Sequence, residues 1–299
     1  MNNSDEIYLQ RLQDSRSGIE WVECMEDYVD YVAVGRVDYA AQDHTAFWVD
    51  RGDTLLIVIE TANEIASRSD GCFPTGWHEA AENGWSYLLL CWEHVGEYPL
   101  DTVVTFLKEQ SEAGDFKQYQ NIVIHGAKQR TQAAFACASV IRGCTVVITQ
   151  PEFANSSVLH DLLDLSTLSG SRLIAAFDPT DCREFPPKQL TERMEYYELR
   201  CWHLTKHTDD LLRSFGVLPK LFEVATSAQI TLSWAYPLLR KRREVRFYWR
   251  SVLQRIDPQR KPTTYIRLCK NVIPLTGGRV FKQKLQELEA KQDLTMHGA

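Results

Sequence analysis

One stretch constrains the fold more than any other: Asn121 to Cys144, reading NIVIHGAKQRTQAAFACASVIRGC. Four residues, Ile122 to His125, have the composition of a short buried strand. A turn at Gly126-Ala127-Lys128-Gln129 follows, and then a small-residue helix that ends at Gly143. Strand, sharp glycine turn and helix make up a nucleophile elbow, whose G-x-S-x-G frame lifts a serine above the end of a parallel sheet. Here the frame is G-A-K-Q-R: Lys128 stands at the nucleophile position and Arg130 replaces the closing glycine.

The rest of the chain supplies the sheet that such an elbow needs. Ala46 to Val49 is a short apolar run, and Leu55 to Ile59 and Tyr87 to Trp92 are continuous apolar strands, the pattern of strands covered on both faces. Leu100 to Ala113 has helical period. Thr145 to Ile148, Leu173 to Phe177 and Tyr197 to Trp202 complete a set of strands, with helices expected at Ser156 to Leu168, Pro187 to Tyr196 and from Thr208. Strands alternating with helices imply β-α-β units, a mostly parallel sheet and right-handed crossovers. Residues 1–45 read as a helical or irregular extension anchored by Trp21, Tyr28 and Tyr31, residues 46–226 as the α/β domain, and residues 227–299 as a basic helical C-terminal region.

Composition narrows the setting. With 299 residues, 44% hydrophobic and 24% charged, the chain has ordinary globular character, and no apolar window is long enough for a membrane span. The polar, acidic start lacks an export signal, so cytoplasmic residence is expected. Eight scattered cysteines show no C-x-x-C pair and no metal spacing; reduced core thiols are expected, with no metal and no cofactor. The net charge of −7 is uneven, with eleven Lys or Arg against two acids between Arg240 and Lys270. No stacking-aromatic motif accompanies that charge, so docking on the acidic body or a solvated helix face is expected in preference to a nucleic-acid or membrane-surface partner. The oligomeric state is not fixed by these features.

The elbow's partners stand in the right chain order. A hydrolase of this architecture places nucleophile, acid and histidine in sequence. After LIAAF come Asp178 and Asp181; after YYELRCW come His203 and His207. Thr61 and Ala62, behind Leu55 to Ile59, fall where one oxyanion N–H is supplied, and Gln129 would give the other. Only the nucleophile is missing. A protonated lysine does not replace serine, Thr131 lies one helical position too late, Cys137 falls mid-helix, and Ser86 lacks a base. A positive alternative is an anion site, in which Lys128 and Arg130 add charge to a helix N-terminus.

Four segments, FPTGWHEAAENGWSYLLLCWE, DFKQYQNIVIHGAKQRTQAAFACA, FDPTDCREF and LRCWHLTKHTDDLLRSFGVLPKLF, resemble a group of bacterial α/β-hydrolase-like proteins. Members commonly carry the elbow G-[SA]-[SG]-M-G-G-Y-A-A and are often labelled phosphoadenosine phosphosulfate reductase. The resemblance runs from about Val34 to Cys269 and rests on the G-W before a strand, the D-F-x-x-Y before the elbow strand and the H-L-x-x-x-T near the last helix. It implies an α/β-hydrolase-like sheet with helices on both faces. The group's elbow residues are here Lys128, Gln129, Arg130 and Thr131. A sulfonucleotide reductase would need an S-G-G-x-D-S-like loop, which is absent, and an attacking thiol, for which Cys269 in RLCKN lacks the expected context. Three readings follow: a degenerate hydrolase scaffold that binds a small anionic ligand, an enzyme (a hydrolase with a displaced nucleophile, or the reductase), and an anionic-surface partner acting through Arg240 to Lys270.

Overall fold

The computed structural model describes residues 3–41, 44–68, 71–92, 100–152, 165–182, 185, 188–276 and 278–297. Eight strands form one sheet: β1 (Gly35–Ala41), β2 (His44–Val49), β3 (Thr54–Thr61), β4 (Ser86–Trp92), β5 (Asn121–Ala127), β6 (Thr145–Thr149), β7 (Arg172–Phe177) and β8 (Glu195–Arg200). Their spatial order is β1-β2-β4-β3-β5-β6-β7-β8. β2 runs antiparallel to both neighbours, and every pair from β4 to β8 is parallel.

All residues of β3 and β4 are buried, as their unbroken apolar runs require. Among the described residues, the α-helices before β6 are α1 (Asn3–Asp14), α2 (Gly18–Tyr31), α3 (Ala62–Ala66), α4 (Trp77–Glu82), α5 (Leu100–Ala113) and α6 (Thr131–Val140). Alternate strand residues divide between two cores. Leu56, Val58 and Val123 face one side, with Trp21 of α2 (Gly18–Tyr31) and Phe222 of the helix Val217–Ala225. Leu55, Ile57 and Ile124 face the other, with Leu107 of α5 (Leu100–Ala113) and Phe135 of α6 (Thr131–Val140). The period of two in each strand thus builds a three-layer α/β structure.

Several expectations are corrected. The segment 1–45 contains a strand, β1, whose half-exposed GRVDYAA lacks an apolar run. Trp21 and Tyr28 do anchor α2, with the Trp21 Nε1 donating to the Cys72 carbonyl at 2.8 Å, but Tyr31 is 74% exposed. The last strand lies two residues earlier than read, because Glu195 pairs with Arg172, and the preceding helix shrinks to Lys188–Thr191. Of the helix expected at 156–168, residues 156–164 lie outside the described residues, and Leu165–Leu168 is a 3-10 turn.

Beyond the sheet come Ala235–Leu239, a 3-10 turn at Arg240–Glu244, and helices Arg246–Gln254, Pro262–Thr276 and Arg279–His297. The last three share a small core of Leu253, Tyr265, Cys269, Val272 and Phe281. Cys269 is buried there, and burial pushes its thiol up, so it offers no exposed thiolate for a reductase. Among the described residues no helix is long and apolar enough to cross a membrane.

Candidate functional site

The elbow has elbow geometry. Lys128, directly after β5, has φ of +56°, a left-handed conformation that a side chain with a Cβ adopts at a cost. A Cβ on Gly126 would sit 2.7 Å from both the Ala134 Cβ and the Arg130 carbonyl oxygen, so only glycine lets α6 approach β5 this closely. The Thr131 hydroxyl donates to the Lys128 carbonyl at 2.7 Å, and the Glu152 amide donates to the same oxygen at 3.2 Å. The sharp turn and the close approach form with Lys128 and Arg130 at the positions where the G-x-S-x-G motif has serine and glycine.

Lys128 lines a cleft of about 690 Å³ together with Glu64, Arg68, Arg130, Asp209, Asp210 and Arg213. Arg130, expected to share an anion site with Lys128, already has a counterion. It is buried, and its Nη1 pairs with Glu64 of α3 (Ala62–Ala66). Thr61 caps that short helix: its hydroxyl accepts from the Glu64 amide at 3.2 Å and lies 3.1 Å from the Glu64 carboxylate. Arg130 and the Thr61 hydroxyl are therefore engaged by Glu64. Ala62 is buried, and Gln129 is exposed.

A polar network invisible in the sequence motifs underlies the cleft. Glu60, at the end of β3, accepts from both Nη atoms of Arg68, from the Thr75 amide at 2.8 Å and from the Thr75 hydroxyl at 2.5 Å. Burial alone would raise its pKa; Arg68, with Arg130 and Arg213 beyond, overrides that and holds the carboxylate far below its usual range. Arg213 donates to Thr75 at 2.7 Å and stands 3.7 Å from Asp209. Asp209 in turn accepts from Thr149, which lies 3.3 Å from the Nε2 of His125. With the single Thr149 proton committed to Asp209, Thr149 accepts from His125, so the ring proton is on Nε2. The Nδ1 atom is left buried without a partner, beside the Phe222 ring. Burial pushes His125 down to about 4.

The acid and histidine positions follow β7 and β8 as expected but do not assemble a triad. Asp178 is 1% exposed, and its oxygens take the Thr180 amide and hydroxyl at 3.0 and 2.7 Å and the Thr205 amide at 3.0 Å. Asp178 therefore ties the loop after β8 to the loop after β7. Arg255, from the basic C-terminal region, pairs with Asp181 at 3.2 Å, approaches Asp178 at 4.0 Å and meets His203 Nδ1 at 2.8 Å. Burial and then Asp178 raise Asp181, while burial and then Arg255 lower His203. The ring of His207 lies 4.4 Å from that of Phe247. Among the described residues neither Asp178 nor Asp181 hydrogen-bonds a histidine, and Lys128 pairs with none of these groups.

Substitute nucleophiles fare no better. Thr131 is buried with its hydroxyl on the Lys128 carbonyl. Cys137 is buried with its thiol pushed up. Ser86 begins β4, at the end of the sheet opposite the elbow, and donates to the Gly52 carbonyl at 2.8 Å.

Strand order, antiparallel β2 and the strained turn after β5 define an α/β-hydrolase-like fold. No protein-family model matches the chain, and no curated protein does. Among solved structures it is similar to Est1E from Butyrivibrio proteoclasticus, with a TM-score of 0.44 and 12% identity over 65% of this chain and 99% of that one. The enterobactin esterase FES from Shigella flexneri gives 0.42 and 13% over 64% and 60% of the two chains. The Pyrococcus furiosus esterase Pf2001 gives 0.39 and 9% over 64% and 92%.

Proposed function

We propose that this chain is a binding protein built on an α/β-hydrolase-like scaffold, taking a small anionic ligand at the former nucleophile elbow without hydrolysing it. One observation carries the reading. Lys128 is held by a strained turn at the mouth of a cleft of about 690 Å³, and among the described residues no carboxylate pairs with it. Strain of this kind persists where the surrounding structure enforces it, and it clusters at sites of function. The other cleft arginines already have counterions in Glu60, Glu64 and Asp209. Lys128 is the cation left to meet a ligand, and the cleft volume falls within the range of small-molecule sites.

The sulfate- or phosphate-induced rise in melting temperature, compared between the parent and Lys128→Met, tests this. A ligand at about 100 times its Kd adds ~2.7 kcal/mol of stability. The variant should lose most of that response and keep an anion-free Tm near the parent's. An equal response would leave Lys128 a solvated turn residue. Hydrolysis of p-nitrophenyl acetate above that of Lys128→Ala, blocked by a serine-directed phosphonate, would overturn the non-hydrolytic part.

A further inference from the structure

We propose that the ligand of this cleft is a zwitterion, a small molecule bearing both a carboxylate and an ammonium group; this rests on the anion-binding reading above. The cleft's charges cancel in pairs, Arg68 with Glu60, Arg130 with Glu64 and Arg213 with Asp209. Two charges remain. Lys128 comes from the elbow, and Asp210 from the first turn of the helix Thr208–Ser214. Both line the same cleft, and among the described residues neither has an ion-pair partner, the other included.

A simple anion held by Lys128 would share the cleft with the Asp210 carboxylate. That carboxylate weakens the binding of such a ligand relative to one that also carries a cation. An ammonium group at the far end of the same ligand turns that repulsion into attraction. Two hydroxyls on the cleft wall point the same way. Ser67 donates to the Glu64 carbonyl at 2.9 Å and Ser214 to the Leu211 carbonyl at 3.2 Å. Both serines line the cleft, and with their protons engaged within the protein their hydroxyl oxygens can only accept. Lone pairs suit an N–H donor and not a second anionic group.

Calorimetric titration at low ionic strength, pairing 4-aminobutyrate with butyrate and 5-aminovalerate with valerate, tests the proposal. The amino acid of each pair should bind roughly three- to fivefold more tightly than the plain acid, the scale of one exposed ion pair. Asp210→Asn should erase that preference without weakening the plain acids, and Lys128→Met should weaken both members. Equal affinity within each pair, or a preference that survives Asp210→Asn, overturns the zwitterion. Plain acids that bind through Lys128 without preference leave the anion reading standing alone. Binding that ignores Lys128→Met overturns the anion reading, and absence of binding by every probe overturns both.

Discussion

His125 should give this protein an acid-sensitive stability that its composition does not announce. The ring is 1% exposed, and its bare Nδ1 has no group to receive a proton's charge. In the folded chain it titrates at about 4, and in the unfolded chain near 6.5. Because the folded value is the lower one, the unfolded state binds the extra proton first. Stability is therefore complete above about pH 6.5 and falls as pH drops toward 4. At 1.36 kcal/mol per pH unit the linkage costs about 1.4 kcal/mol by pH 5.5 and about 2.5 kcal/mol by pH 4.5. Glu60 acts in a later window, since its depressed carboxylate loses its contribution only as pH falls below the ordinary carboxylate value. His203 shifts the same way as His125 but is partly exposed and paired with Arg255. The variant His125→Gln isolates the buried ring: it can still donate to Thr149 and has nothing to titrate. Urea unfolding of both proteins at pH 7.5, 5.5 and 4.5 should show the parent losing about 2.5 kcal/mol more than the variant across the range. Parallel pH profiles would refute the buried, neutral ring and the proton assignment that leads to it.

Three further perturbations probe the elbow and the C-terminal clasp. Gly126→Ala places a methyl 2.7 Å from the Ala134 Cβ and the Arg130 carbonyl and should lower stability by about 1–3 kcal/mol in denaturant unfolding. Lys128→Gly removes the side chain from its left-handed turn, so the anion-free Tm should hold or rise while the anion response disappears; a clear fall in Tm would mean the turn is unstrained. Arg255→Met strips the cation from Asp178, Asp181 and His203 and should cost roughly 1–2 kcal/mol at pH 7, with the loss shrinking at high salt because the guanidinium is partly exposed.

The contrast between what was legible in the residues and what was not has a physical pattern. β3 and β4 declare themselves because strands buried on both faces must be apolar throughout, and the elbow declares itself because Gly126 is forced by the approach of α6. β1 carries no such signal, because an edge strand with one partner keeps polar and half-exposed residues. The pairing of Arg130 is hidden for a different reason: its counterion Glu64 lies 66 residues away, on a helix that only the fold brings to the elbow. The same holds for Arg255, 74 residues from Asp181, and for the chain from His125 through Thr149 to Asp209. Local periodicity finds the scaffold; the partner of a buried charge is a property of topology.

The elbow's strained backbone has a bearing on what Lys128 does. A hydrolase needs the left-handed turn to expose its nucleophile; with lysine at that position, the turn needs another reason. If Lys128 had no task, nothing at its own position would favour a long side chain at φ of +56° over glycine. Arg130 adds a second constraint. Its guanidinium is buried against Glu64, so placing the motif's closing glycine there would leave Glu64, bonded to the Thr61 hydroxyl, without its counterion. Lys128→Ser alone therefore restores a hydroxyl but neither the second glycine nor a histidine in contact with an acid. On the binding reading, Lys128→Ser and the double variant Lys128→Ser/Arg130→Gly should both lack esterase activity, because Asp178 is committed to the Thr180 and Thr205 amides. Esterase turnover in either variant would show that the acid and histidine loops rearrange on binding, and that one or two substitutions at the elbow suffice for hydrolysis on this scaffold.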